Sequence, residues 1–458
     1  MARKILFVLF LAVAIALMPT LSSAQAQGRT VVTWFVGIGT GASPDQIEVQ
    51  NRVVEAFNAS QNEIELKINI AASFEAAYDA LATLIAAGDA PDIVGPVGFL
   101  GANSFPDAWL DLAPLVEKYN YDLEQFPKSL VDLYRTEDGG LVGIPFAVFP
   151  SLIFYNKDLF DEAGLAYPPS DFNQPYVLKG EEREWNWDTL ADLAVELTVD
   201  ANGRTPNDPG FDPNQIRQFG FIQQWALLRA EMTTFGGHPV YDPEKGEVEL
   251  PDYWREQLAW THNGLWKRYF IPNTTYEGSE LLQPSAFASG NVAMARVPLW
   301  YTCCISGLKA NWDLAVLPSY KGKYHVPTDA DTFRITKGSK NPDAAFKVLT
   351  YLLGEAAPEL LLVYGGYPAR PDLQEAATEL RKKSFPSVTN WDAVPKSLEY
   401  AASPHHESFF PNFSKGIQRF ADFRSQLYGD TGRDMDLEAE INKLEADLKA
   451  IVAEALGR

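Results

Sequence analysis

Between residues 31 and 94 the apolar pattern switches repeatedly between two periods, and that alternation restricts the chain to few folds. VVTWFV (31–36) is a short apolar run of strand type. Ser43, Pro44 and Gln46 then supply a helix cap, a proline at the first helical position and the distal half of a capping box. Ile47, Val53, Val54 and Phe57 form an apolar face behind them. Ile64, Leu66, Ile68 and Ile70 alternate with Glu65, Lys67 and Asn69, which predicts a half-buried strand. Ser73 opens a second helix striped by Phe74, Ala77, Tyr78, Leu81, Leu84 and Ile85, and Gly88 stops it. Asp92-Ile93-Val94 is a third strand. Strand-helix-strand-helix-strand predicts an α/β fold with a parallel, doubly wound sheet.

The segment before this unit predicts where the chain works. Arg3 and Lys4 precede 14 apolar residues (5–18), Pro19 breaks the run, and Ala24-Gln25-Ala26 offers small residues for cleavage. That order is a secretory signal, and the run falls short of the roughly 20 residues of a spanning helix. No Cys near the cleavage point supports a lipid anchor. An exported, soluble chain in the periplasm or outside the cell is expected. Losing Arg3 and Lys4 with the signal takes the net charge from −22 to −24. So acidic a surface repels nucleic acid and anionic lipid. With 46% apolar residues and 458 residues in all, the chain holds more than one core, so two lobes are expected.

Cys303 and Cys304 are the only cysteines. Adjacent Cα atoms lie about 3.8 Å apart, below the roughly 4.4 Å at which disulfides begin. Two buried thiols and a small strained ring both stay open.

Farther along, Asp138-Gly139-Gly140 marks a turn before LVGIPF, and SLIFY (151–155) reads as a strand. Residues 170–215 are rich in loop-forming prolines. Helical patterns cover 252–268, 284–290 and 342–353, and WDLAVLP (312–318) and FRIT (333–336) read as strands. Leu437, Ile441, Leu444, Leu448, Ile451 and Ala455 predict a terminal helix docked on a core. Asp430, Asp434, Asp436 and Glu438 lack calcium-loop spacing and suit a helix start.

Taken in order, AAGDAPDIV (86–94), WLDLAPLVEKYN (109–120), GLVGIPFAVFPSLIFYNKDLFDEAGL (140–165) and WNWDTLADLAVELT (185–198) resemble the extracellular solute-binding proteins of ABC importers. SGNVAMARVPLW (289–300), WDLAVLPSYKG (312–322), KGSKNPDAAFKVLTYLL (337–353) and YGGYPAR (364–370) continue the resemblance, which centres on the group around maltose-binding protein. It implies two α/β lobes, each a largely parallel sheet flanked by helices. Residues 27–148 and 328–366 would form the first lobe, and 149–327 and 367–458 the second. Hinge crossings would fall near 147–150, 323–329 and 365–367. Function would be capture of a solute by hinge closure and delivery to a transmembrane permease. A monomer without cofactor or metal is expected.

Open α/β sheets bind ligands at the carboxyl ends of their strands, here 37–41 and 95–99. Both stretches are uncharged and glycine-rich, which suits a neutral ligand. Sugars combine an apolar ring face with a rim of hydroxyls, so aromatic platforms beside planar polar groups are sought among the 11 Trp. Trp300 with Tyr301 resembles the position at which maltose-binding proteins place a stacking Trp. Trp34, Phe99, Tyr155, Trp225 and Trp391 are further candidates by position. Asp329 and Asp331 depart from the glycine-rich stretch usual there, and read either as hydroxyl acceptors or as a solvated hinge loop. Arg370 matches the family's recurrent arginine, with lobe packing as its other reading. No G-x-S-x-G or H-E-x-x-H occurs, and the adjacent His405 and His406 would point apart on any regular element. A neutral oligosaccharide is the expected ligand. The rival readings are a glycoside hydrolase, and a binder of a polyol or glycerol phosphate.

Overall fold

The computed structural model describes residues 28–458 except 137, 138 and 306, so the signal segment and Asp138 lie outside the described residues. Among the described residues no helix is long and apolar enough to cross a membrane.

The predicted opening unit forms. Strands β1 (Thr30–Val36), β2 (Ile64–Ile70) and β3 (Ile93–Gly98) are parallel, with β1 in the middle. Helix α1 (Pro44–Ser60) starts where Ser43 donates its backbone N–H to Gln46 Oε1, at 3.4 Å. Helix α2 (Phe74–Ala86) starts where Ser73 Oγ accepts the N–H of Ala76, at 3.3 Å. Alternation along β1 sends Trp34 to one face of the sheet and Phe35 to the other, each into its own apolar cluster. Both faces are thus covered, as a parallel sheet requires.

The long strand β4 (Ile144–Asn156) follows. LVGIPF and SLIFY, read above as two segments, are halves of this one strand. Hairpin β5 (Tyr176–Leu178)–β6 (Glu181–Arg183) and the helix Trp187–Glu196 interrupt the proline-rich stretch. Then come β7 (Val199–Asp200), β8 (Ile216–Gln223), hairpin β9 (Tyr241–Asp242)–β10 (Glu247–Val248), β11 (Val292–Pro298), β12 (Trp312–Ala315), β13 (Thr328–Ile335) and β14 (Tyr367–Pro368). The sheet order is β2-β1-β3-β13-β4-β11-β8-β7, with β12 and β14 also on β4. Among the described strands, besides the opening three, only β8 and β11 are parallel neighbours. β4 is antiparallel to β11, β12, β13 and β14, and β13 is antiparallel to β3.

β4 is the spine on which the expected lobes would meet. Its first half pairs with β13, from Ile144–Phe333 to Pro150–Thr328. Its second half pairs with β11, from Ser151–Pro298 to Tyr155–Met294. β14 lands at the middle, pairing Tyr367 with Val148. All three segments expected to cross between lobes therefore meet around 147–150.

Residues 284–290, expected as a helix, are a series of turns. Pro284 and Gly290 bracket too few residues to repay helix nucleation. The terminal helix Leu437–Ala455 does form, and buries Ile441, Leu444, Leu448 and Val452 against the helix Phe413–Tyr428.

Candidate functional site

Strand β13 brings the carboxylates. Asp329 pairs with Phe149 and Asp331 with Ala147 on β4, and Asp331 also pairs with Gly98 at the carboxyl end of β3. Two residues apart on a strand, their side chains share one face, while the intervening Ala330 is buried on the other. Gly98 makes room for this: a Cβ there would sit 3.1 Å from Asp331 Oδ1.

Strands β8 and β11 bring the aromatics. β11 ends at Pro298 and runs straight into a 3₁₀ turn, Leu299–Cys304, that carries Trp300. Just past the end of β8 lies Trp225, 53% exposed and held at φ 52°. The two indoles are parallel within 6°, with centroids 6.0 Å apart. Trp300 Nε1 donates to Asp329 Oδ2 at 2.7 Å. Tyr301 is fully buried behind them, its ring edge-on to Trp225 at 5.3 Å and its hydroxyl paired with Ser285 at 2.7 Å. Tyr301 supports the platform from behind and offers no face of its own.

A loop invisible to local periodicity closes the floor. His405 and His406 stack within 19° at 4.6 Å, because this segment is neither helix nor strand and the expectation that they diverge does not apply. His406 Nε2 lies 3.0 Å from Asp329 Oδ1, so His406 and Trp300 hold the two oxygens of one carboxylate. Phe99 packs between Tyr134, stacked at 5.1 Å, and His405 at 4.7 Å. Glu407 is buried beside them. Asn103 Nδ2 donates to the Glu407 carbonyl, and Arg229 Nη1 donates to the Ser408 carbonyl. The loop is therefore held at both residues.

Charge in this cluster is unevenly matched. Burial pushes the Asp329 carboxyl up, but His406 and the Trp300 indole outweigh it and leave it below the ordinary value. Asp331 has no such help. Burial and the neighbouring Asp329 charge raise it to about 7. Burial, then Asp329 and Asp331, raise Glu407 well above the carboxylate range. Burial lowers His405 to about 3, and it lowers His406 too. Arg229 and Arg296 are buried guanidiniums lowered to about 9 and about 10 by desolvation. Glu407 opposes the fall at Arg229, and Glu231 with Asp329 opposes it at Arg296. Among the described residues the side chains of Gln223 and Ser151 and two nitrogens on each arginine find no protein partner, which marks a polar layer behind the platform.

Ligand atoms of Asp329, His406 and Glu407 lie within 4.8 Å of one another, a spacing that could suit a cation. The surroundings do not suit one. Two guanidiniums adjoin the cluster, and His406 Nδ1 has no protein acceptor to orient the ring as metal-bound imidazoles require.

Four expected site residues fall elsewhere. Trp34 is wholly buried, donating to the Gly95 carbonyl and packing on Phe333. Trp391 is buried against Phe385. Tyr155 is buried against Phe160, four residues along β4 from Ser151 and so about 13 Å from the crossing. Arg370 is taken by Asp372 at 2.6 Å. The loop histidines and Glu407 were missed by sequence reasoning, since only the fold brings them to Asp329.

The profile of bacterial extracellular solute-binding proteins matches residues 43–358. The chain belongs to that family. Among solved structures it resembles an ABC substrate-binding protein of Listeria monocytogenes in complex with cycloalternan, with a TM-score of 0.71 and 19% identity over 94% of this chain and 99% of that one. It also resembles the maltose-bound MalE3 of T. maritima, with a TM-score of 0.67 and 19% identity over 92% and 99%. Both likenesses establish the two-lobed α/β fold. A curated relative is the sn-glycerol-3-phosphate-binding periplasmic protein of Brucella suis, 28% identical over 156 residues, or 33% of this chain. The chain's match spans 34%, about a third, of that relative's length.

Proposed function

We propose that this solute-binding protein captures a neutral carbohydrate, an oligosaccharide, between its lobes and delivers it to an ABC permease from outside the cytoplasm. The observation that carries the reading is the parallel Trp225–Trp300 pair beside the same-face carboxylates Asp329 and Asp331. Indole faces suit the C–H face of a pyranose, and carboxylates accept its hydroxyls in pairs. The sugar-bound structural neighbours and the apparent secretion signal agree with this.

Charge argues against an anionic ligand. A phosphate would enter beside the Asp329 carboxylate, which stays charged, while Arg296 already faces Asp329 and Glu231 and Arg229 faces Glu407. The site also argues against a glycosidase. Hydrolysis needs two carboxyls flanking the scissile bond, whereas Asp329 and Asp331 share one strand face and Asp329 is held by two donors.

A thermal-shift panel of mono- and oligosaccharides, with sn-glycerol 3-phosphate and peptides as further arms, tests the reading. A sugar at 100 times its Kd should add about 2.7 kcal/mol of stability. A shift with the phosphate or a peptide and none with any sugar overturns it.

A further inference from the structure

Cys303 and Cys304 are joined as a disulfide between neighbours, at the end of the turn that carries Trp300. Both are exposed, whereas Leu299, Tyr301 and Thr302 of the same turn are buried. In a 3₁₀ turn, with three residues per revolution, side chains at i and i+3 eclipse. Cys303 therefore stands on the same face as Trp300, one turn farther on.

This turn is held in place at two points. The Trp300 indole is fixed to Asp329, and the hinge segment at Gly365 presses on its backbone. A Cβ at Gly365 would come within 2.8 Å of the Trp300 carbonyl oxygen. The ring closed by the disulfide holds two polarisable sulfurs and two methylenes facing outward, and it has no thiol hydrogen to donate. Such a surface is apolar and fixed in shape. It suits the C–H face of a sugar ring as an indole does, but over a smaller area.

We infer that the Cys303–Cys304 ring is a ligand-contacting ledge that continues the Trp225–Trp300 platform and takes the apolar face of a second sugar unit. This rests on the carbohydrate reading above. The chain's only two cysteines would then serve affinity for longer sugars in preference to fold stability. Reduction by dithiothreitol turns the ring into two thiols while the reagent becomes its cyclic disulfide. It replaces the fixed ledge with two mobile side chains.

The test is calorimetric titration of the mature protein with maltotriose, mannotriose, xylotriose and chitotriose and with their monosaccharides. Oxidised wild type, dithiothreitol-treated wild type and the Cys303→Ala/Cys304→Ala double variant are compared. The trisaccharide that binds oxidised protein should bind the other two forms about tenfold more weakly, and its monosaccharide should be unaffected. The apo melting temperature should change little. Equal trisaccharide affinity in all three forms overturns the ledge and leaves the carbohydrate reading standing. So does a large drop in melting temperature with affinity intact in the folded fraction. Equal losses for mono- and trisaccharide also overturn it, since the ring would then only be positioning Trp300. If no sugar binds any form, the carbohydrate reading itself falls, and the ledge with it.

Discussion

The indole of Trp300 donates to the Asp329 carboxylate at 2.7 Å, across the boundary between the turn after β11 and the crossing strand β13. The platform is thereby tied to the strand that pairs with β3 and with the first half of β4. Asp329 spends both oxygens in doing so, one on Trp300 and one on His406. Asp331, two residues on, feels only burial and the Asp329 charge, with no cation to offset them among the described residues.

Truncating the platform should separate binding from folding. Trp300→Ala removes a half-buried ring and is expected to weaken sugar binding by about 2–4 kcal/mol, as aromatic hot spots do. That is roughly 30- to 1,000-fold in Kd. Trp300→Phe keeps a ring but drops the charge-assisted hydrogen bond to Asp329, which should cost about 1.5–3 kcal/mol of folding stability and less affinity than Trp300→Ala. Titration and apo melting on the two variants check both. A collapse in melting temperature with normal affinity would assign Trp300 to the core.

Trp34 supplies the opposite case. Its ring is wholly buried and its N–H is satisfied by Gly95. Trp34→Ala should cost about 3–5 kcal/mol of folding stability, read by denaturant unfolding. Affinity in the folded fraction should match wild type, and a selective loss of binding would return Trp34 to the site.

Asp331 should leave a pH signature on the unliganded protein. Its carboxyl is raised to about 7, against an ordinary 3.8, by burial and then by Asp329. An acid raised on folding contributes stability fully below its unfolded value and loses it as pH climbs through the folded one. Buried His405 and His406, both lowered on folding, add the opposite slope below about pH 6.5 in wild type and Asp331→Asn alike. The Asp331 slope, steepest from about 5 to 7, is therefore read as the difference between the two proteins in unfolding from pH 4 to 8. Asp331→Asn should flatten that slope and be more stable than wild type at pH 8. It also removes one of the charges that raise Glu407. An unchanged slope in the variant would mean that Asp331 is already compensated.

What the sequence made legible was local. The β1–α1–β2–α2–β3 unit and the terminal helix follow from periodicities spanning a few turns, and those periodicities reflect burial of one face. β4 was harder because Pro145 and Pro150 look like breakers. Proline survives there because the ladder is irregular: β13 shifts register between Asp331 and Thr332, opposite Pro145 and Ala147. In the site, Trp300 could be proposed from the family resemblance, Trp225 from its position, and Asp329 and Asp331 because they depart from the glycine-rich stretch usual there. Trp34 and Trp391 also sit near element boundaries, and nothing in their neighbours distinguishes a covered indole from an open one. His405, His406 and Glu407 lie more than 70 residues from Asp329 in a loop with no periodicity, so only tertiary packing brings them there.

Gly365 tests the coupling between hinge and platform. It holds φ at +69°, and a Cβ would meet Thr302 Oγ1 at 2.7 Å and the Trp300 carbonyl oxygen at 2.8 Å. Gly365→Ala should lose about 1–2 kcal/mol from the left-handed backbone alone, and it should also displace Trp300. Gly164 is the control: it has φ +65° and nothing within 4 Å of an added Cβ. Gly164→Ala should show a similar stability loss with normal sugar affinity, whereas Gly365→Ala loses affinity as well. Equal affinities in the two variants would uncouple the hinge from the platform.

Closure itself should be visible in solution. The three segments expected to cross between lobes all meet on β4 at 147–150, and on that reading rotation there moves Asp331 and Phe99 relative to Trp225 and Trp300. A ligand can favour the closed form only by binding it better than the open one, which requires contacts from both sides of the crossing. Small-angle scattering should show a smaller radius of gyration with saturating sugar than without. Trp300→Ala, at sugar concentrations that still saturate it, should give a smaller contraction, because the second lobe then contributes less to the difference. If the radius stays constant for wild type at saturation, the ligand sits on one lobe. The Trp300–Asp329 bond would then fix the platform without any part in closure.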